Sequence, residues 1–329
     1  MLKLITSLLL MAMCCAVQAQ LPLPADYLSA DFHKGRREAL RQLMPANSVT
    51  VIFAYPERVF SRDVTYSYHP NPDLFYFSGY KEPNAVLLIF KETQEGTHGA
   101  YNELFFVRKR NPLQERWSGR RLGTEGVKQT LGFTHVYNDE EFAAFPIDFG
   151  KFGKVLYDAF PDDAGPGMLN TLLNAFQSKA GITHRMSKNL IEDLNILMQN
   201  TYPSNIPARV NRFKTRMAEL DDEEYRSNPI LNELVRNPDA ATLEKLIARI
   251  KANPFQSYEY NQLVSSLREI KTPEELVLLR KSSFYSAMAH VEVMKAIHPD
   301  MSETELMGTF EYIHKKYGAE GEGYPPIVG

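Results

Sequence analysis

The chain has 329 residues, of which 44% are hydrophobic and 23% charged, and its formal net charge is −3. This length is sufficient for two domains, because single hydrophobic cores seldom grow beyond about 250–300 residues. The balance of apolar and charged residues is that of a folded globular protein and argues against a disordered chain. The small net charge gives no electrostatic reason to expect nucleic acid or an anionic membrane as a partner.

The first twenty residues differ in kind from the rest. An apolar run, Leu4–Val17, follows a single lysine and precedes the small residue Ala19. This pattern predicts a signal peptide over residues 1–19 and an exported protein, either periplasmic or secreted, with no membrane span after cleavage. The alternatives are a retained anchor and lipid attachment at Cys14. Both cysteines, Cys14 and Cys15, lie here, so the mature chain would form no disulfide and hold no thiol nucleophile or cysteine-ligated zinc.

Residues 25–160 carry alternating helix and strand signals and predict an α/β domain. Asp31 is placed to cap a first helix that ends near Pro45. The expected strands are Val51–Ala54, Leu74–Phe77, Ala85–Phe90, Leu104–Val107 and Val155–Tyr157. The polar segment Lys91–Asn102 favours a hairpin between the third and fourth of them. Further helices are expected around Thr124–Leu131 and Glu140–Phe145.

From about residue 165 to 267 the strand signals fade, and leucines at helical spacing predict a helical insertion or linker. Two helices are then predicted between residues 270 and 329. Thr272-Pro273-Glu274-Glu275 forms a capping box that opens a helix running to Ile297. A second capping box, Ser302–Glu305, opens another helix, with Gly318 placed to end it.

The densest positive patch of the sequence has two open interpretations from the residues alone. Its members are Arg108, Lys109, Arg110, Arg116, Arg120 and Arg121. A nucleic-acid surface would need a broader basic face, so an ion-paired or solvated surface is the expected role. Trp117, the only tryptophan, lies inside this patch, and burial in the core is one role open to it.

The remaining polar residues offer no recognisable catalytic or metal motif. No histidine lies in an H-E-x-x-H arrangement, and no G-x-S-x-G or glycine-rich phosphate loop is present. His290 is expected to be a core histidine satisfied by hydrogen bonds, and Asp73 to order a turn. The acidic run Asp221–Glu224 is expected to form a solvated helix face. No catalytic or metal-ligating residue is assigned.

Three stretches together resemble the aminopeptidase P (Xaa-Pro aminopeptidase) family. Ser61–Phe90 reads SRDVTYSYHPNPDLFYFSGYKEPNAVLLIF, and Arg110–Gly123 reads RNPLQERWSGRRLG. Ile270–Gly329 opens with IKTPEEL and closes with IVG. The resemblance covers about residues 31–145 and 270–329. It implies a creatinase/aminopeptidase P-like N-terminal α/β domain at 25–160, a helical linker region at 165–267, and at 270–329 the start of a truncated pita-bread (α+β) metallopeptidase domain, with a strand beginning near Tyr324.

The resemblance also implies an activity and its cofactor. Members of the family release the N-terminal residue from Xaa-Pro peptides with two divalent cations, usually Mn²⁺, held by two aspartates, one histidine and two glutamates. Those ligands and the catalytic histidine follow the IVG strand, so none can be assigned to a residue of this chain. We therefore expect the chain as given to be incomplete and inactive by itself. The alternative is a non-catalytic binding or scaffold protein that retains the first domain.

Two substrate-binding residues are expected from the resemblance. In the family, the tryptophan of the W-x-G-R-R segment lies near the substrate pocket of a neighbouring subunit. Here that segment supplies Trp117 and Arg120. Members often associate through the first domain, so a homo-oligomer is an expected partner besides the Xaa-Pro peptide.

Overall fold

The computed structural model describes residues 27–96, 99–158, 160, 165–182, 188–199, 202–219, 223–321, 323–324 and 326–328. The predicted signal peptide at residues 1–19 lies outside this described part. The backbone packs as two compact units, one formed by Ser29–Ile270 and the other containing residues 271–329. Within the described ranges, no helix is long and apolar enough to cross a bilayer.

A six-stranded mixed sheet forms the centre of the first unit. Its strands are β1 (Ser48–Phe53), β4 (Val86–Gln94), β5 (Tyr101–Val107), β6 (Val136–Asn138), β7 (Lys154–Tyr157) and β8 (Phe255–Gln256), in the spatial order β6-β5-β4-β1-β7-β8. A separate two-stranded hairpin consists of β2 (Val59–Ser61) and β3 (Val64–Thr65). Only β4 runs antiparallel to its two neighbours. The carboxyl ends of the other five strands therefore meet at one side of the sheet, called here the C-terminal edge.

Thirteen helices are assigned within the described residues. They are α1 (Ala30–Leu43), α2 (Pro72–Ser78), α3 (Pro112–Ser118), α4 (Gly123–Leu131), α5 (Met168–Ala180), α6 (Lys188–Met198), α7 (Ile206–Glu219), α8 (Glu223–Ser227), α9 (Pro229–Arg236), α10 (Ala240–Ala252), α11 (Ser257–Glu269), α12 (Pro273–Ala296) and α13 (Glu303–Lys316).

Both faces of the sheet are covered, which is why every residue of β1 is buried. On one face, α1, α2, α4 and α11 contribute to a core that includes Leu40, Phe77, Val127 and Tyr260. On the other face, the apolar side chains of α5 pack with Phe142, which follows the 3₁₀ turn Asp139–Glu141, and with Phe149 of a second 3₁₀ turn, Phe149–Lys151. Phe176 of α5 contacts several rings there.

The segment expected to be a helical insertion or linker, residues 165–267, has two parts. Helix α5, strand β8 and helix α11 pack on or join the sheet. Helices α6 to α10 instead enclose a separate core around Leu194, Phe213, Tyr225 and Leu246. Within that core, the buried Asp193 accepts a hydrogen bond from the Tyr225 hydroxyl (2.7 Å) and pairs with two arginines of α7.

The strand predicted at Leu74–Phe77 is wrong, because this run belongs to helix α2. The side chain of Asn71 accepts hydrogen bonds from the backbone N–H groups of Asp73 and Leu74, and Pro72 occupies the first turn. Gly79 ends the helix at φ +74°, a backbone conformation that favours glycine. The cap, the proline and the glycine outweigh the aromatic content of a four-residue run.

Two helix predictions of the first domain also need correction. The cap of α1 is Ser29, whose hydroxyl accepts from the Phe32 N–H, while Asp31 lies in the first turn. Only the 3₁₀ turn Asp139–Glu141 and irregular turns occupy the stretch predicted as a helix at Glu140–Phe145. The predicted hairpin and the strands at β1, β4, β5 and β7 are confirmed, as is α4.

The second unit contains α12 and α13, and both predicted helices are confirmed. Thr272 and Glu275 form the reciprocal capping box of α12. Ser302 caps α13 through the Glu305 N–H, and Gly318 follows its end at φ +89°. His290 is not the core histidine expected. It is exposed on α12, and its Nδ1 lies 2.7 Å from the Ser286 carbonyl. The described residues 323–324 and 326–328 form no strand.

Candidate functional site

The α3 loop, residues 108–122, projects from the C-terminal edge of the sheet. Its helix α3 begins where the Asn111 side chain accepts from the N–H groups of Leu113 and Gln114. Gly119 follows α3 at φ +80° and ψ 165°, a region that is essentially limited to glycine. None of the seven residues of α3 is buried. The loop is therefore a short, capped helix held away from the core.

The buried Tyr80 and the half-buried Glu82 hold both ends of the α3 loop. The Tyr80 hydroxyl accepts from the Arg108 N–H (3.3 Å) and lies 3.2 Å from Glu82 Oε2, to which it donates. Glu82 Oε1 accepts from the Leu122 N–H at 2.9 Å. Burial raises the pKa of Glu82, while the Leu122 N–H and the charge of Arg121 oppose that shift. These contacts close the base of the loop and fix its direction.

A second set of contacts at the loop base is ionic. Glu57 lies 3.2 Å from the Arg108 guanidinium and 3.8 Å from that of Arg121. It therefore links the two ends of the loop from a third chain segment, the one leading into the β2–β3 hairpin. All three side chains are partly shielded from solvent, which reduces the screening that weakens exposed ion pairs.

Four of the six cations in the basic patch form ion pairs, as expected. Besides the Glu57 contacts, Lys109 pairs with Glu140 (2.9 Å), and Arg110 makes two hydrogen bonds to Glu115 (3.0 and 2.7 Å). The bond from Arg110 holds the pKa of the Glu115 carboxyl below its ordinary value. Arg116 and Arg120 are exposed and form no ion pair with another described residue.

Trp117 is 94% exposed, so the core role considered for it is wrong. It lies on α3 together with Leu113, which is also exposed. Trp117 and Arg120 are therefore brought onto one solvent-facing loop, three residues apart across Gly119. A tryptophan ring and an unpaired guanidinium together offer stacking, cation–π contact and bidentate hydrogen bonding to carbonyl or carboxylate oxygens.

The β2–β3 hairpin adds a second exposed apolar group to the C-terminal edge. Val59, Phe60, Val64 and Tyr66 are all more than half exposed, and the rings of Phe60 and Tyr66 meet edge to face at 5.2 Å. The hairpin follows β1, whose carboxyl end lies at the same edge as that of β5. This hairpin is not predicted from the sequence, since its strands have only three and two residues. The alternating aromatics of VFSRDVTYSY are the signal that was available.

Asp73 connects two distant parts of the chain at this edge rather than ordering a turn. It accepts from the Tyr260 hydroxyl (2.9 Å) and pairs with Arg268 (2.5 Å), both on α11. Tyr76 reinforces the junction by donating to the Leu267 carbonyl at 3.1 Å. Burial raises the pKa of the nearby Tyr55, and the charge of Asp158 adds to this effect. Sequence alone gives no sign of these partners, which lie almost two hundred positions away.

No metal centre is formed by the described part of the chain. Within it, no three histidine, cysteine, aspartate or glutamate side chains come together to hold an ion. The loop that carries Trp117 and Arg120 is cationic, which is unsuited to divalent metals. The residues present therefore do not fit a two-metal centre, and no step of a reaction is derived through one.

The domain that carries the α3 loop is similar to known proteins. Residues 33–151 match the family model described as the N-terminal domain of aminopeptidase P. The chain is 26% identical over 294 residues to the Xaa-Pro aminopeptidase of Escherichia coli, an alignment that covers 89% of this chain and 51% of that protein. Residues 33–151 form an aminopeptidase P N-terminal domain. The curated relatives that the chain resembles are named as peptidases.

Further comparisons add detail within the aminopeptidase P family. Xaa-Pro aminopeptidase 3 of Dictyostelium discoideum is 43% identical over 105 residues, which cover 32% of this chain and 20% of that protein. Aminopeptidase P from E. coli, solved with the inhibitor Pro-Leu, superposes with a TM-score of 0.56 at 22% identity, over 89% of this chain and 50% of that one. At this identity the likeness shows the fold. The chain spans about half the length of the curated full-length relatives it matches.

Proposed function

We propose that this protein acts in the release of the N-terminal residue from Xaa-Pro peptides, and that this chain contributes the peptide-positioning surface of the α3 loop. Trp117 and Arg120 would contact the substrate in a site shared with a neighbouring subunit of a homo-oligomer. Neither residue is assigned a catalytic role. Both would bind and orient the peptide.

The observation that carries this proposal is the exposure of Trp117 on a loop pinned at both ends. A fully exposed indole gains nothing from folding, since about 25 cal/mol is gained for each Å² of apolar surface buried. The Tyr80–Glu82 pair and Glu57 nevertheless fix the loop that presents it. Such an arrangement favours contact with another molecule over contact with the chain's own core.

The chemistry of Trp117 and Arg120 suits an Xaa-Pro peptide. Proline has no backbone N–H, so recognition of it depends on packing against its ring and on bonds to neighbouring carbonyl groups. An indole supplies the flat apolar surface, and a guanidinium supplies donors for carbonyl or carboxylate oxygens. Arg120 forms no ion pair with a described carboxylate. Its charge acts on Glu115, but both oxygens of that carboxylate are bonded to Arg110, so the donors of Arg120 are available to the peptide.

Three further elements belong to the proposal. The protein would be exported through the signal peptide at residues 1–19, to the periplasm or beyond the cell. The reaction would use two manganese ions, held by groups that the described residues do not supply. One structural relative is named as a zinc-substituted aminopeptidase P in complex with product, which supports metal dependence in the family. By itself, this chain is expected to release no residue from an Xaa-Pro peptide.

Because Trp117 is the only tryptophan, its indole N–H gives one resolvable signal in a ¹H–¹⁵N NMR spectrum. The peptide Ala-Pro-Ala should shift this signal with saturation, and Ala-Ala-Ala should shift it less. Arg120→Met should weaken the Ala-Pro-Ala response about tenfold or more, as expected for losing a charge-assisted hydrogen bond. Lys128→Met, which removes an exposed cation paired with Glu125 outside the loop, should leave it unchanged. An indole signal that responds equally to both peptides would contradict the proposal.

A non-catalytic binding or scaffold role is the second candidate, favoured by the exposed apolar side chains of the β2–β3 hairpin. The two candidates differ in the nucleotide sequence beyond codon 329. An open frame encoding two aspartates, a histidine and two glutamates at family spacing supports the peptidase, and a stop codon supports the scaffold. Release of alanine from Ala-Pro-Ala by the purified chain with Mn²⁺ would refute the expectation that this chain is inactive by itself.

A further inference from the structure

A cleft of about 350 Å³ lies where the helical core of α6, α9 and α10 meets strand β8 and the start of α11. All of its residues fall within 191–258, outside the segment that matches the family model. Its walls are mainly aliphatic and aromatic, formed by Ile191, Leu194, Met198, Ile230, Ile250 and Phe255. The rim residues Pro229, Arg249 and Asn253 are exposed, and the floor residues Leu194 and Asn195 are buried.

Two buried residues with amide side chains, Asn195 and Gln256, line this cleft, and each has amide atoms that bond no other described residue. Asn195 is 9% exposed, and no group in the described part of the chain hydrogen-bonds its side-chain amide. Gln256 is 3% exposed and donates through Nε2 to the carbonyls of Ile250 (2.8 Å), Lys251 (3.4 Å) and Asn253. That pattern fixes the orientation of the Gln256 amide, and its Oε1 receives no donor from the described residues.

The start of helix α11 adds further donors at the same place. Gln256 occupies the cap position of α11, yet its side chain makes no capping hydrogen bond. The first N–H groups of a helix have no partner within the helix, and Ser257 and Tyr258 of this turn line the cleft. The cleft therefore combines free donors, a free acceptor and apolar walls.

We propose that this cleft binds a hydrophobic residue of a peptide, with the side chain against the apolar walls and the adjoining peptide group on the two amides. A peptide N–H would donate to Gln256 Oε1, and a peptide C=O would accept from Asn195 or from the first turn of α11. The proposal does not depend on the function proposed for Trp117 and Arg120.

The size and charge of the cleft select this ligand class. A cavity of about 150 Å³ lined by Leu, Ile and Phe admits a benzene ring, so this volume holds a phenyl side chain together with a peptide group. A carboxylate fits less well, because it offers no proton to Gln256 Oε1. The guanidinium of Arg249 at the rim is also engaged by Glu233 at 3.0 Å. A pure hydrocarbon would leave both amides unsatisfied, a cost that a peptide group removes.

The test uses the ¹⁵N-labelled full chain and three probes observed by NMR titration. N-acetyl-L-phenylalaninamide should produce saturable shifts confined to residues 188–199 and 249–258. N-acetylglycinamide tests the need for the side chain, and toluene tests the need for the amide. Both should bind at least tenfold more weakly than N-acetyl-L-phenylalaninamide.

Three variants make the result decisive. Asn195→Leu should weaken binding of N-acetyl-L-phenylalaninamide about tenfold, while toluene binding is kept or improved. Met198→Trp should fill the cleft and abolish binding of both probes. Asn211→Leu, the same substitution at an exposed position of α7 outside the cleft, should change neither affinity. Far-UV circular dichroism checks that each variant is folded. If Asn195→Leu is unfolded, the result for Met198→Trp decides the test.

The proposal is overturned if folded wild-type chain shows no saturable response to N-acetyl-L-phenylalaninamide. It is also overturned if toluene binds as tightly as the amide and Asn195→Leu changes neither affinity, since the cleft would then be an apolar cavity only. Shifts that fall outside the two segments would place the ligand elsewhere and would equally refute it.

Discussion

Replacement of Arg37 by methionine should destabilise the first unit by about 3 kcal/mol. The guanidinium is 1% exposed and bonds Glu103 through Nε (2.7 Å) and Nη2 (3.2 Å), while Nη1 donates to the Phe77 carbonyl (2.8 Å). It also lies 3.9 Å from the centre of the Phe133 ring. Breaking a buried ion pair costs about 3–5 kcal/mol, because the remaining charge stays buried without its partner. We take the lower limit, since Arg41 still reaches Glu103 at 3.4 Å.

Urea unfolding and thermal melting measure this loss. For a unit of this size, about 3 kcal/mol corresponds to a fall in Tm of roughly 6–12 °C. Lys109→Met is the matched control, because it removes a cation from a pair whose members are both about half exposed. Such exposed pairs contribute little to stability, because solvent screens them. Combining Arg37→Met with Glu103→Leu should recover part of the loss. If Arg37→Met costs no more than Lys109→Met, the buried pair does not stabilise α1 against the sheet, and the reasoning fails.

Three further predictions concern other parts of the first unit and use the same unfolding measurements. Gly79→Ala should cost about 2 kcal/mol or more, since φ is +74° and the added carbon would lie 2.9 Å from the His33 ring. Gly181→Ala is its control and should cost only about 1 kcal/mol, since φ is +66° and there is open space around the added carbon. Asp193→Ala should cost about 3 kcal/mol, because it removes the buried carboxylate to which a tyrosine hydroxyl and two arginines bond, and a loss below about 1 kcal/mol would contradict this. Burial raises the pKa of Glu82, so the folded state takes up a proton more readily than the unfolded chain, and the stability from this group is lost as the pH rises through the folded pKa. The unfolding free energy of wild type minus that of Glu82→Gln should therefore increase as the pH falls from neutral toward the ordinary carboxyl pKa of about 4.3, and a constant difference would show that folding does not raise the pKa of Glu82.

Local signals in the sequence predict much of the fold where one segment decides its own structure. The capping box at Thr272–Glu275 and the β-branched run of β1 needed no distant partner to be found. The strand prediction at Leu74–Phe77 was wrong because a four-residue apolar run fits either a strand or a helix. Its identity depends on Asn71, whose side chain both caps α2 and donates to the Phe53 carbonyl. Strand β8 has two residues and exists only through its pairing with β7, which no local pattern encodes.

The candidate site was predictable only through resemblance, and its geometry was not predictable at all. Trp117 and Arg120 come from the W-x-G-R-R segment, yet composition alone placed the tryptophan equally well in the core. The exposure of Trp117 depends on the contacts that fix the α3 loop. Those contacts are made by Tyr80, Glu82 and Glu57, which lie 28 or more positions before the loop ends that they hold. Such contacts are tertiary and leave no periodic trace in the sequence.

The segment expected to be a linker gives the strongest physical argument for a second binding surface. A linker would leave its amides in water, where Asn195 and Gln256 would be fully hydrogen-bonded. Here both residues are buried beside an apolar cleft, and a ligand that displaces water from the cleft must satisfy the free positions of their amides or leave them without a partner. Replacing Asn195 by leucine should therefore leave the ligand-free chain as stable as wild type while removing the preference for an amide ligand. Unchanged stability together with a loss of N-acetyl-L-phenylalaninamide binding would show that the amide is kept for recognition, and a loss of both would show that it serves the fold.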